Sequence, residues 1–362
     1  MASSIAKLLE FGQSPWNDNL TRALARGGLQ KLIDEHGIRG VTSNPTIFEK
    51  AMGAGTDYDA QLRELLANDP DTTKAYWTLV EQDIADAADI LRPVYEEADG
   101  TDGFVSIEVD PDLAHDSEGT LTQVKDFFGR LARPNVMIKI PATREGLPAI
   151  TDATAAGVNV NITLIFSLER YEEVIEAFFE GLEQRVERGE DISHISSVAS
   201  FFVSRVDTET DRRLPDPHPL RGKAAVANAK LAYQVFVDRF SGPRWNDLAA
   251  AGAHKQRPLW ASTSTKNPAY SPTLYVDTLV GRDTVNTLAQ ASIDVLADYQ
   301  GLRPDTVLEG VDEAQAVIDG LADAEVDFAD VTATLEREGV AAFSASYHDA
   351  LDTLAKKSRE LK

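Results

Sequence analysis

Asn135–Val136–Met137–Ile138–Lys139–Ile140–Pro141–Ala142–Thr143 is the stretch that decides how this chain folds. A run of β-favouring apolar residues carries one lysine near its end, and a proline then stops it. Lys139 has apolar neighbours on both sides, so a strand here is covered on both faces, as in a parallel sheet. Burial disfavours the ammonium form of a lysine, and a neutral amine is a nucleophile suited to Schiff-base formation with a carbonyl. The plainer reading is a strand end whose lysine stem is buried while its ammonium reaches water. The surrounding chain has to choose between them.

Working outward, extended and helical patterns alternate. Residues 15–18 read as a short extended piece, 21–36 as a helix closed by Gly37, and 39–48 as a strand running into Ser43–Asn44–Pro45–Thr46. Helical stretches at 58–67 and 72–98 precede a strand at 104–109, and a helix at 121–131 leads into the lysine strand. Beyond it come helix 146–156, strand 159–166, helix 168–188, an apolar β-rich run at 195–203, and helix 219–240. Strands are expected at 259–264 and 274–280, then helices over 284–299 and most of 312–361. Strand followed by helix, repeated about eight times, predicts a parallel sheet closed as a (β/α)8 TIM barrel with additional N- and C-terminal helices. No Gly-x-Gly-x-x-Gly follows the first strand, which disfavours the open doubly wound sheet. No linker divides the chain, so residues 1–362 are expected to form one barrel domain, with 300–362 a helical extension packed on it.

Composition narrows the chemistry. With 35 Lys and Arg against 59 Asp and Glu the formal net charge is −24, which argues against nucleic acid and anionic membrane as partners. Phosphorylated small molecules remain possible, because they need only a few local cations. There are no cysteines, so disulfides and thiolate nucleophiles are excluded. The six histidines are scattered without ligand spacing, and neither a metal nor a cofactor is expected. No apolar stretch reaches the length of a membrane span and the N-terminus is not a secretory signal, so a cytoplasmic protein is expected.

In a barrel, polar residues at the C-terminal strand ends converge on one mouth. Here these are Asp18, Asn44, Glu108, Lys139, Asn161, Thr163, Ser200, Arg205, Ser262 and Lys266. Singly, each has an ordinary role: Asp18 as a helix cap or turn residue, Asn44 before proline as turn chemistry, Glu108 as a solvated strand end. Asn161 and Thr163 alternate on one face of an apolar strand, which is harder to place at a surface. Together they supply two carboxylates, an embedded lysine, two amides and a group of cations.

These segments resemble the transaldolase family. Gly40–Val41–Thr42–Ser43–Asn44–Pro45–Thr46 is similar to its second-strand motif, and the stretch around Lys139 to its Schiff-base strand. Val160–Asn161–Ile162–Thr163–Leu164–Ile165–Phe166–Ser167 and Ala199–Ser200–Phe201–Phe202–Val203–Ser204–Arg205 resemble its fifth and sixth strands. The resemblance implies a (β/α)8 class I aldolase of the pentose phosphate pathway. Such an enzyme moves a dihydroxyacetone unit from sedoheptulose 7-phosphate or fructose 6-phosphate to an aldose phosphate. Carried over, Lys139 attacks the ketose C2, Glu108 and Thr163 hold a proton-carrying water, and Asp18 serves the C4 hydroxyl. Asn44 and Asn161 hold substrate hydroxyls, Arg205 and Ser262 grip the phosphate, and Ser200 and Phe202 line the site.

One segment departs from the pattern. Many members read Ala-Ser-Phe-Arg-Asn on the seventh strand, whereas this chain has Ala261–Ser262–Thr263–Ser264–Thr265–Lys266–Asn267. Lys266 would meet a phosphate as a point charge rather than as a fork, and a longer bacterial subgroup of the family has this lysine form. The competing readings are a related aldolase that cleaves without transfer and a non-catalytic sugar-phosphate-binding barrel. Glu108 and the helices beyond residue 299 favour the transferase; a monomer or homodimer is expected.

Overall fold

The computed structural model describes residues 3–361, in which eight parallel strands close into a barrel in sequence order. They are β1 (Gln13–Asn17), β2 (Gly40–Val41), β3 (Val105–Glu108), β4 (Val136–Pro141), β5 (Val160–Ile165), β6 (Ser197–Phe202), β7 (Arg257–Ala261) and β8 (Thr284–Leu288). β8 closes on β1 through a register running from Gln13↔Thr284 to Asn17↔Leu288. Helices separate the strands and further helices flank both ends, so the chain is a (β/α)8 barrel with terminal additions.

Alternation along each strand sends every second side chain into the lumen. In β4, Met137 and Lys139 point inward while Val136, Ile138 and Ile140 lie under the helices, and all are buried. Trp16 fills the lower lumen. A Cβ on Gly40, which pairs with it, would stand 2.5 Å from the indole, so the facing position has to be glycine.

Two boundaries correct the sequence reading. The second strand is only Gly40–Val41, because Asn44 caps a helix over Pro45–Gly53 and the chain turns there. The eighth strand is not 274–280. Leu274–Asp277 is one helical turn, and Thr284–Leu288, expected to be helical, completes the barrel. Ala, Gln and Leu after Leu288 are strong helix formers, and they masked the short β pattern before them.

After β8 come helices Val311–Asp323 and Phe328–Glu360, the latter capped by Asp327. The last helix runs over the C-terminal mouth of the barrel. Gly339 lets it lie on Leu164, since a Cβ there would come 2.9 Å from the leucine Cδ2. One turn on, the Phe343 ring stands 5.9 Å from Lys139 Nζ. Thr46 bonds Ser346 at 2.7 Å, and Lys357 pairs with Asp59 at 2.8 Å, pinning the helix along its length. Among the described residues, no helix is long and apolar enough to cross a membrane.

Candidate active site

Register sets the site's level in the barrel. Glu108, Lys139 and Asn161 are consecutive Cα partners across β3, β4 and β5, so their side chains enter the lumen at one height. Lys139 is only 4 % exposed. Its Nζ donates to the Ser43 carbonyl at 3.2 Å and lies 3.5 Å from Glu108 Oε2. The plainer reading of Lys139, an ammonium reaching water, is therefore set aside.

Glu108 is buried, and neither of its oxygens has a hydrogen-bond partner. Burial pushes its carboxyl up to about 7, against the opposing pull of the Lys139 charge and with a small push from Asp18. The Thr163 hydroxyl, on a fully buried residue, also lacks a partner. Just beyond it β5 bulges, and Leu164 adopts a left-handed φ of 61°. Strain of this kind persists where the surrounding packing fixes it, here beneath Gly339 of the last helix.

Asp18 follows β1, with Thr42 donating to its Oδ1 at 3.0 Å. Asn44 spends its Oδ1 on Ile47 N at 3.0 Å, so its amide Nδ2 is what it can offer a ligand. Ser200 donates to Asn161 Oδ1 at 2.7 Å, and Asn161 donates to Ser106 Oγ at 3.0 Å. Phe202 packs on Phe166 at 5.2 Å and carries the Arg205 guanidinium 5.4 Å above its ring. Burial draws the Arg205 guanidinium below its ordinary value, while Asp18 and Glu338 oppose that shift. Among the described residues Arg205 makes no ion pair within 4.0 Å, which leaves its charge uncompensated at close range. Ser262, at a left-handed φ of 57°, meets Ser204 Oγ at 2.9 Å.

Asp18, Asn44, Lys139, Ser200, Phe202, Arg205 and Ser262 line one cavity of about 80 Å³. The other expected residues stand differently. Glu108 lies behind Lys139 and lines a smaller, one-water-sized space with Asn44 and Tyr76. Asn161, with both ends of its amide engaged, and Thr163 line neither space, and Lys266 is exposed on the loop after β7, outside the lining. The wall is completed by Thr42, Leu259, Ala261 and Thr287, which the sequence reading did not place in the site, and by Phe343 of the last helix. Thr42 precedes Asn44 in a quoted motif, Thr287 would have followed from a correct eighth strand, and Phe343 belongs to the helical extension expected to pack on the barrel. Among the described residues no three His, Asp or Glu side chains gather as a metal site.

Comparison with known proteins places this arrangement among relatives. The family described as Transaldolase/Fructose-6-phosphate aldolase matches residues 15–354. A protein named Transaldolase from Thermobifida fusca is 50 % identical over 363 residues, covering 99 % of either chain. Relatives of the same name from Parafrankia sp. and Mycobacterium bovis are 49 % and 48 % identical, over 98 % and 96 % of this chain and 98 % and 95 % of their own.

Proposed function

Since the chain belongs to the transaldolase/fructose-6-phosphate aldolase family and is a transferase enzyme, we propose that it carries a dihydroxyacetone unit between sugar phosphates on a Lys139 Schiff base. The donor is sedoheptulose 7-phosphate or fructose 6-phosphate, and the acceptor is glyceraldehyde 3-phosphate or erythrose 4-phosphate. The observation that carries this reading is the buried Lys139 Nζ, 3.5 Å from a Glu108 whose oxygens have no hydrogen-bond partner, at the floor of a cavity.

Lys139 adds to C2 of the ketose to give a carbinolamine. Loss of water then leaves a protonated imine. Glu108, titrating near neutral pH, gives and takes the protons for these steps through a water held with the Thr163 hydroxyl. Asp18 accepts the C4 hydroxyl proton. The C3–C4 bonding pair moves into the imine, leaving an enamine on the lysine, and the aldose departs. Attack of the enamine on the acceptor carbonyl reverses the sequence, Asp18 returns its proton, and hydrolysis frees Lys139. The Asn44 amide holds a hydroxyl of the three-carbon unit. Asn161 acts from beneath through Ser200, and Arg205 with Ser262 takes the phosphate. That remote group supplies binding energy that aligns the sugar.

Borohydride reduction in the presence of fructose 6-phosphate, followed by peptide mass spectrometry, tests the proposal. A three-carbon adduct on Lys139 is expected. No adduct from folded protein, or one on another lysine, refutes the assignment. Adding erythrose 4-phosphate separates transfer from simple cleavage, which would release free dihydroxyacetone instead.

A further inference from the structure

The helix Ser204–Arg213 begins beside the cavity with Arg205 in its first turn. Its residues Ser204, Asp207 and Asp211 stand at i, i+3 and i+7, so they share one face, and all are buried. Each of them reaches the segment that follows β7. Ser204 bonds Ser262 twice, Oγ to Oγ at 2.9 Å and N to the carbonyl at 3.1 Å. Asp207 accepts from Tyr275 Oη at 2.7 Å and from Ala225 N at 2.8 Å. Asp211 accepts from Tyr270 Oη at 2.5 Å and from Gly222 N at 2.9 Å. The Tyr270 ring closes over Gly222, where a Cβ would stand 2.6 Å away.

The seam therefore ties the helix bearing Arg205 to the loop that begins with Ser262, a residue in strained backbone. This is the loop whose sequence departs from the family's usual motif. Beyond the direct bonds from Ser204, the hydrogen bonds of Tyr270 and Tyr275 to Asp211 and Asp207 fix the later part of that loop against the same helix. From this geometry we infer that Asp211 and Tyr270 are positioning residues that hold Ser262 at the right separation from Arg205 to grip the substrate phosphate. Neither touches the cavity; both act through the seam. The inference rests on the phosphate reading of Arg205 and Ser262 given above.

Tyr270→Phe removes one bond from a partly exposed ring and leaves Asp211 its bond from Gly222 N. Two readouts are taken on the full chain: KM and kcat for fructose 6-phosphate, and the rate of borohydride trapping of dihydroxyacetone, which has no phosphate. The expected result is a roughly threefold to tenfold rise in KM, the scale of one hydrogen bond, with kcat and dihydroxyacetone trapping unchanged. Arg205→Gln, which removes the phosphate grip itself, should raise KM further and lower kcat for fructose 6-phosphate as well. If Arg205→Gln leaves KM unchanged, the phosphate reading fails and takes the inference with it. If Arg205→Gln raises KM while Tyr270→Phe does not, the inference alone is overturned. It is also overturned if Tyr270→Phe slows ketose phosphate and dihydroxyacetone alike, because that is a general loosening of the barrel.

Discussion

The two mouths of the barrel are built from the same strands and differ in what their polar groups are left to do. The N-terminal mouth holds the roomier cavity, about 320 Å³ against about 80 Å³ above, and it is lined by His254, Lys255, Arg257 and Asp283. Its charges are nevertheless matched. Asp102 accepts from Ser14 Oγ at 2.6 Å, Trp16 Nε1 at 2.9 Å and Gly103 N at 3.1 Å, with Arg257 3.6 Å away. Lys255 pairs with Asp283 at 2.8 Å. Buried neutral oxygens without partners occur at both ends, on Gln13, Asn135 and Gln256 below and on Thr163 above, but the C-terminal mouth also leaves the Glu108 carboxyl without a hydrogen bond and, among the described residues, Arg205 without an ion pair. Buried polar groups without partners cost stability, and a fold keeps them where a ligand or water completes them. Volume alone would point to the other end.

The comparison breaks most directly at Lys139. Lys139→Met should lower kcat by about 10⁴-fold or more, since no other group supplies the nucleophile. Its urea midpoint should fall, because buried Glu108 loses the amine 3.5 Å away and is left in the lumen without it. Steady-state assay and equilibrium denaturation on one preparation check both; residual turnover near wild type would move the chemistry elsewhere. Glu108→Gln should cost about 10²- to 10⁴-fold in kcat, the range for loss of a general acid–base. It should also change how stability depends on pH. Glu108 titrates higher folded than unfolded, so the native state binds the proton more tightly. Its contribution is full below the ordinary glutamate range and is lost as pH rises through about 7. Wild type should therefore lose on the order of 1–3 kcal/mol from this group between roughly pH 4.5 and 7, and Glu108→Gln should lack that part of the slope. Parallel pH slopes in the two proteins would show that burial does not hold the Glu108 carboxyl above its ordinary range.

The upper mouth was legible in the sequence and the lower was not, for a physical reason. Lys139, Asn161 and Thr163 are polar residues inside apolar runs, and the cost of burying them there marks them out along the chain itself. Asp102 lies in a turn of ordinary composition, and its three donors come from β1 and its own neighbour. The barrel itself followed from alternation. β8 was missed because Thr284–Leu288 is short and runs into strong helix formers, and Thr287 was lost with it. The seam at Ser204, Asp207 and Asp211 depends on contacts between distant segments, which periodicity does not encode. Lys266 is the site candidate that the cavity supports least. Its place in a motif suggested a ligand, yet its side chain is exposed and away from the cavity.

Substitutions at the lower mouth should change stability and leave chemistry alone. Asp102→Ala removes the acceptor shared by Ser14, Trp16 and Gly103 and strands a guanidinium beside it. A loss of about 2–4 kcal/mol is expected, with kcat and KM per folded molecule unchanged. Lys255→Met should do least of all. The pair it breaks is 38 % and 53 % exposed, where solvent screens the attraction, and the methionine stem can still lie on Phe236, whose ring is 5.5 Å from the present ammonium. Its denaturation midpoint should correspond to a change within about 0.5 kcal/mol, and its kinetics should match wild type. This smallest effect is the sharpest check on the comparison. A raised KM from so mild a change at the far end of the barrel would mean that the two mouths are coupled, and that the larger cavity takes part in function after all.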